Sequence, residues 1–119
     1  MINEDFLIKI REYTVSKDNS ESTTYLITNT QIQINGEEIK EDLTNKISKI
    51  KNILSSKVNE IETISNSVQS NYKGGIQKTM DIEFNEKKYR IIGNTSNEEA
   101  TKLYINIKEE IQKIIDGAF

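Results

Sequence analysis

Thr24-Tyr25-Leu26-Ile27-Thr28-Asn29-Thr30-Gln31-Ile32-Gln33-Ile34 is the stretch whose pattern decides the fold. Side chains in a strand alternate between two faces. If Asn29-Thr30 is a two-residue turn, Ile27 lies opposite Ile32 and Tyr25 opposite Ile34. All four then share one face, while Thr24, Leu26, Gln31 and Gln33 take the other. A one-residue slip would scatter the set, so pattern and register support each other. Asn35-Gly36 is then expected to break the strand.

Upstream, Phe6, Ile8 and Ile10 alternate with Leu7, Lys9 and Arg11, and Tyr13 and Val15 follow. This predicts an N-terminal strand with one apolar face, followed by a polar loop over 16–23. Downstream, the period changes at Glu38. Leu43, Ile47, Ile50, Leu54, Ile61, Ile64 and Val68 fall at spacings of four and three, with Lys57 in the one missing slot. A helix over 38–66 would be about 43 Å long. It is therefore expected either to break near Ser55-Ser56-Lys57 or to project from the body of the domain.

Residues 65–75 read as a flexible connection. A second hairpin follows, with Met80, Ile82 and Phe84 alternating with polar residues. A turn centred on Glu86-Lys87 would place Phe84 opposite Tyr89 and Ile82 opposite Ile91. In Ser96-Asn97-Glu98-Glu99 the Ser hydroxyl and Glu99 have the spacing of a capping box. A stripe through Ala100, Leu103, Tyr104, Ile107, Ile111 and Ile114 follows, with Gly117 as terminator. The expected fold is α+β in a single domain over 1–119, in the order β-ββ-α-ββ-α. Two hairpins plus the N-terminal strand make an antiparallel sheet of about five strands, with two long amphipathic helices packed on one face.

The chain has no histidine, cysteine, tryptophan or proline among its 119 residues. The commonest general base, the commonest nucleophile and the two best transition-metal ligands are thereby missing. The expectation is a non-enzyme with no cofactor and no metal. Leu, Ile, Val and Phe make up 32 of 119 residues, enough for a modest core. A net charge of −3 lacks the basic excess of a nucleic-acid binder. No apolar run approaches a membrane span, and the acidic N-terminus is unlike a secretion signal, so a cytoplasmic location is expected. Fourteen lysines against two arginines, with 21 isoleucines, fit AT-rich coding, as in a low-GC bacterium or its phage.

Two residue sets stand out as binding candidates. The distal part of the first helix, Lys57, Val58, Ile61, Ile64 and Val68, carries an apolar seam longer than one small sheet requires, and is expected to meet another protein or a second copy. Arg11 and Arg90, the only guanidinium groups, lie opposite the main apolar register of their strands. With Tyr13 they would form a small anion site if those strands are neighbours. Asp18-Asn19-Ser20-Glu21-Ser22 resembles the Asp-x-Ser-x-Ser magnesium motif of integrin-insert-like domains. Those domains have a parallel sheet, so here a polar loop is expected. Tyr72-Lys73-Gly74-Gly75 precedes a strand rather than a helix and reads as linker, not a phosphate loop.

Tyr89-Arg90-Ile91-Ile92-Gly93 with Glu98-Glu99-Ala100-Thr101-Lys102-Leu103-Tyr104 is similar to the closing strand and helix of bacterial pleckstrin-homology-like domains. Tyr25-Leu26-Ile27-Thr28-Asn29 is similar to an early strand of that class. The resemblance covers about a quarter of the chain. It implies further strands where this sequence has a long helical stripe, and a regulatory, ligand-binding role. Composition and seam together favour a protein-interaction domain of the inhibitor, immunity or anti-defence kind. Small-anion binding or a pleckstrin-homology-like regulatory role is the alternative.

Overall fold

In the computed structural model the described residues are 6–15, 20–70 and 76–117. Alternation builds the strands: β1 (Phe6–Val15), β2 (Ser20–Thr28), β3 (Ile32–Ile34) and β4 (Glu37–Glu38) precede the helix α1 (Thr44–Ser65). β5 (Ile76–Phe84), β6 (Lys87–Ile92) and the helix α2 (Glu98–Ile115) complete the chain. The strands form one sheet in the order β4-β3-β2-β1-β5-β6, and every adjacent pair is antiparallel. The fold is α+β, as expected, with six strands rather than about five. The Asp18-Asn19 part of the magnesium-like motif and the Tyr72–Gly75 linker lie outside the described residues.

The first hairpin has the expected register: Ile27 pairs with Ile32 and Tyr25 with Ile34. The Thr28 amide donates to the Gln31 carbonyl across the Asn29-Thr30 turn at 2.9 Å. Asn35-Gly36 does more than break the strand. Both residues have positive φ, 53° and 83°, the geometry of a tight hairpin turn, and they fold Glu37 and Glu38 back as β4 against β3. That is the extra strand, and it delays the first helix from Glu38 to Thr44.

The second hairpin corrects the expected register by two residues. Its turn is Asn85-Glu86, at φ 54° and 64°, so Phe84 pairs with Lys87, Ile82 with Tyr89 and Met80 with Ile91. A shift of two preserves side-chain parity, so the same residues face the core. The α2 cap is likewise one residue later than expected. Asn97, not Ser96, is the N-cap, and its Oδ1 accepts from the Ala100 amide at 3.2 Å. Glu98 and Glu99 then occupy the first turn, where the helix dipole favours them.

α1 is continuous through Ser55-Ser56-Lys57 for 22 residues, about 33 Å at 1.5 Å per residue. The molecule measures 45 × 33 × 24 Å, so this helix neither breaks nor projects. The pleckstrin-homology-like resemblance implied strands in this segment, and the helix replaces them. Asp42 acts at the entry to α1, accepting from the Thr44 amide at 3.0 Å and the Thr44 hydroxyl at 2.7 Å. Those bonds, side chain first, hold its carboxyl below the usual aspartate range.

Both helices cover the same face of the sheet. Ile8, Ile10, Ile27, Ile32, Met80, Ile82 and Ile91 from the strands join Ile50, Leu54, Ile61, Tyr104 and Ile107 from the helices in one apolar cluster. Each such side chain contributes about 1.5–3 kcal/mol when fully buried. The Lys46 ammonium of α1 reaches the Ile115 carbonyl at the end of α2 at 2.9 Å, so the helices run antiparallel. The β6 edge is closed by a side chain. Gln69 donates to the Arg90 carbonyl at 3.0 Å and accepts from the Ile92 amide at 2.7 Å. It thus occupies the place a seventh strand would take.

Candidate functional site

The opposite face of the sheet is open. Register places its residues in rows. Lys88, Glu83, Leu7 and Thr28 form one row, and Arg90, Asp81, Lys9 and Leu26 the next. Ile92, Thr79, Arg11 and Thr24 follow, then Gln77, Tyr13 and Ser22. None of these side chains is buried, whereas most of their strand neighbours that face the helices are. The columns alternate in charge: Lys88 and Arg90 on β6, Glu83 and Asp81 on β5, Lys9 and Arg11 on β1. Opposite charges directly across a sheet attract, so this ladder stabilises the β1-β5-β6 order.

The two arginines do not lie on neighbouring strands, because β5 runs between β1 and β6. The anion site expected from a direct pairing of Arg11 with Arg90 is therefore not formed. Asp81 on β5 takes the position between them. Arg90 Nε donates to Asp81 Oδ1 at 2.8 Å, while the nearest Arg11 nitrogen stands 3.7 Å from Asp81 Oδ2. The first is a charge-assisted hydrogen bond and the second only an ion pair at longer range. Tyr13, 42% exposed, stays with Arg11. The two line a shallow dish of about 360 Å³ with Glu12, Ser22, Thr23, Thr24, Gln77 and Thr79.

The seam on α1 is divided differently. Ile61 and Ile64 are 1% and 5% exposed and belong to the core, and Val58 packs against it half-buried. Lys57 is half-buried on α1. Val68 lies beyond the end of the helix and is 83% exposed. The five residues thus do not present one apolar surface. The helix pair instead offers an open groove of about 480 Å³ in which Ile64 and Leu103 join Asn59, Glu60, Thr63, Glu99, Lys102 and Asn106, and its exposed lining is mainly apolar.

A third constellation sits at the covered face, where β1 runs out from under α2. Glu12 continues the inward parity of Phe6, Ile8 and Ile10. It accepts from the Tyr104 hydroxyl at 2.9 Å and pairs with the Lys108 ammonium at 2.6 Å. Burial raises the Glu12 pKa, but the bonds from Lys108 and Tyr104 and the Lys108 and Lys78 charges outweigh it and leave the carboxyl below its ordinary value. Burial first, then the Glu12 charge, pushes the Tyr104 phenol far above the tyrosine range. A carboxylate held ionised and a phenol held neutral suit anchoring rather than proton transfer. The legible signal was an acidic residue at an inward strand position; its partners, 92 and 96 residues on, were not legible.

Among the described residues, no three acidic side chains converge as a metal site would require, and no helix is long and apolar enough to cross a membrane. No protein-family model, curated protein or solved structure matches the chain.

Proposed function

We propose that this protein is a non-enzymatic binding domain, of the inhibitor, immunity or anti-defence kind, that docks another protein on the open face of its sheet. One observation carries the reading: the described residues leave an entire sheet face without a covering layer. It combines Leu7, Leu26, Ile92 and Tyr13 with a ladder of charges, a mixture suited to a protein interface with apolar contacts among orienting charges. The outermost row of α1, with Asn45, Ser48, Asn52, Ser55, Asn59 and Thr63 exposed, is polar.

The test is affinity capture from source-cell lysate with three tagged proteins: the natural chain, Lys9→Glu/Tyr13→Ser on the open face, and Asn52→Lys/Asn59→Lys on α1. The natural chain and the α1 variant are expected to recover the same stoichiometric partner, and the open-face variant to lose it while remaining folded by circular dichroism. Recovery by the open-face variant with loss by the α1 variant would move the interface to the helices and refute the reading.

A further inference from the structure

We infer that Arg11 anchors an oxyanion-binding site at the centre of the open face, of a kind that takes a phosphate group, free or as a small monoester. This goes beyond protein docking and stands or falls independently of it.

The inference rests on unequal pairing of the two guanidinium groups. Arg90 is committed to Asp81 at 2.8 Å, which neutralises that carboxylate locally. Arg11 has a single ion-pair contact at 3.7 Å, beyond hydrogen-bonding range, and its side chain is 53% exposed. A guanidinium has five N–H donors in a rigid fork, and none of those of Arg11 is hydrogen-bonded to an acceptor among the described residues. The longer contact with Asp81 compensates the charge of Arg11 less completely than that of Arg90, and its donors are available.

The surroundings supply the rest of a cradle. Thr24 and Thr79 are the direct cross-strand neighbours of Arg11 on either side, and Ser22 is the neighbour of Tyr13. By strand parity all five side chains lie on one face. Three aliphatic hydroxyls and a phenol thus share the face and the dish with the Arg11 side chain. Lys9, two residues along β1 on the same face, adds positive charge. A planar carboxylate is satisfied by the two parallel bonds of the fork alone. A tetrahedral oxyanion has further oxygens left over, and Thr24, Thr79 and Tyr13, beside Arg11 on the same face, are the donors at hand for them. Phosphate matches this donor set better than carboxylate does.

The test is a two-dimensional NMR titration that follows the Arg11 side-chain Nε–H and the backbone amides of Tyr13, Thr24 and Thr79. Inorganic phosphate, phenyl phosphate and acetate are compared at constant ionic strength. Saturable shifts at these positions are expected with both phosphates, and weaker ones with acetate. Tighter binding of phenyl phosphate would identify the site as one for monoesters that rest against Tyr13, and equal binding as one for the free ion. Arg11→Lys keeps the charge but removes the fork, and should weaken binding on the order of fivefold or more, while Arg90→Lys leaves it within about twofold. Shifts that grow linearly without saturation, that appear equally around Lys88 and Arg90, or that survive Arg11→Lys unchanged would overturn the inference. So would equal loss in both arginine variants.

Discussion

Gly93 follows β6, and its lack of a side chain has a structural cause that can be tested directly. A Cβ at this position would sit 2.5, 2.6 and 2.7 Å from Cδ1, Cε1 and Cγ of the Tyr104 ring. Ordinary contacts are 3.4 Å or more, so the ring or the strand end must move by roughly 1 Å to accept even alanine. Neither moves easily. Tyr104 is 1% exposed and its hydroxyl is bonded to Glu12 at 2.9 Å, while the Gly93 amide is bonded to the Lys78 carbonyl at 2.9 Å. Overpacking a filled core costs about 1–3 kcal/mol, and with both partners tethered Gly93→Ala belongs at the upper end, near 3 kcal/mol. For a domain of this size that corresponds to a fall of about 10 °C in the melting temperature. Urea denaturation with a two-state fit measures the cost. The control is Tyr104→Ala, which removes all three obstructing ring atoms. In that background the further cost of Gly93→Ala should drop below about 1 kcal/mol. If Gly93→Ala lies within about 0.5 kcal/mol of the natural chain, or if the two substitutions simply add, the contact is not what excludes a side chain there.

The Glu12 anchor makes a pH-dependent contribution. Its folded-state pKa lies below the ordinary 4.5, so the stabilisation is fully present above that value and is lost as pH falls through the folded-state pKa. Glu12→Gln should cost about 1–3 kcal/mol at pH 7. The gap to the natural chain should narrow below about pH 4.5, and a pH-independent gap in denaturation curves would show that the charge is irrelevant. At the sheet edge, Gln69→Ala removes the acceptor of the Ile92 amide and a donor to the Arg90 carbonyl. The expected loss is about 1–2 kcal/mol, with faster hydrogen exchange at Ile92. Unchanged exchange at that amide would mean that Gln69 does not close the edge.

The first hairpin was legible because a period-two pattern fixes the parity that puts Tyr25, Ile27, Ile32 and Ile34 on one face, and the Asn29-Thr30 turn picks the register of that parity. The helix stripes were legible for the same local reason. Asn35-Gly36 carried a stronger hairpin signal than Asn29-Thr30, yet the two residues after it are both glutamates, so no apolar alternation marks them as β4. In the second hairpin, Asn85-Glu86 turns through positive φ without glycine. Composition does not advertise such a turn, and the register moved by two. The apolar seam of α1 looked too long for one sheet, but six strands and a second helix are broad enough to bury Ile47 through Ile64.

By itself, then, the sequence determined both helices, five of the six strands, their faces and the fold class, because these depend on side-chain periods that repeat within a few residues. It placed Arg11 and Arg90 on the side of the sheet away from the core for the same reason. Only the tertiary structure decided what those side chains meet. Insertion of β5 between β1 and β6 puts Asp81 between the two arginines, hydrogen-bonds Arg90 to it and leaves Arg11 with only a longer ion pair among the described residues. It also brings Glu12 under Tyr104 and Lys108. Strand order is settled by the joint burial of residues distant in the chain, and no local period encodes which strand will be the neighbour.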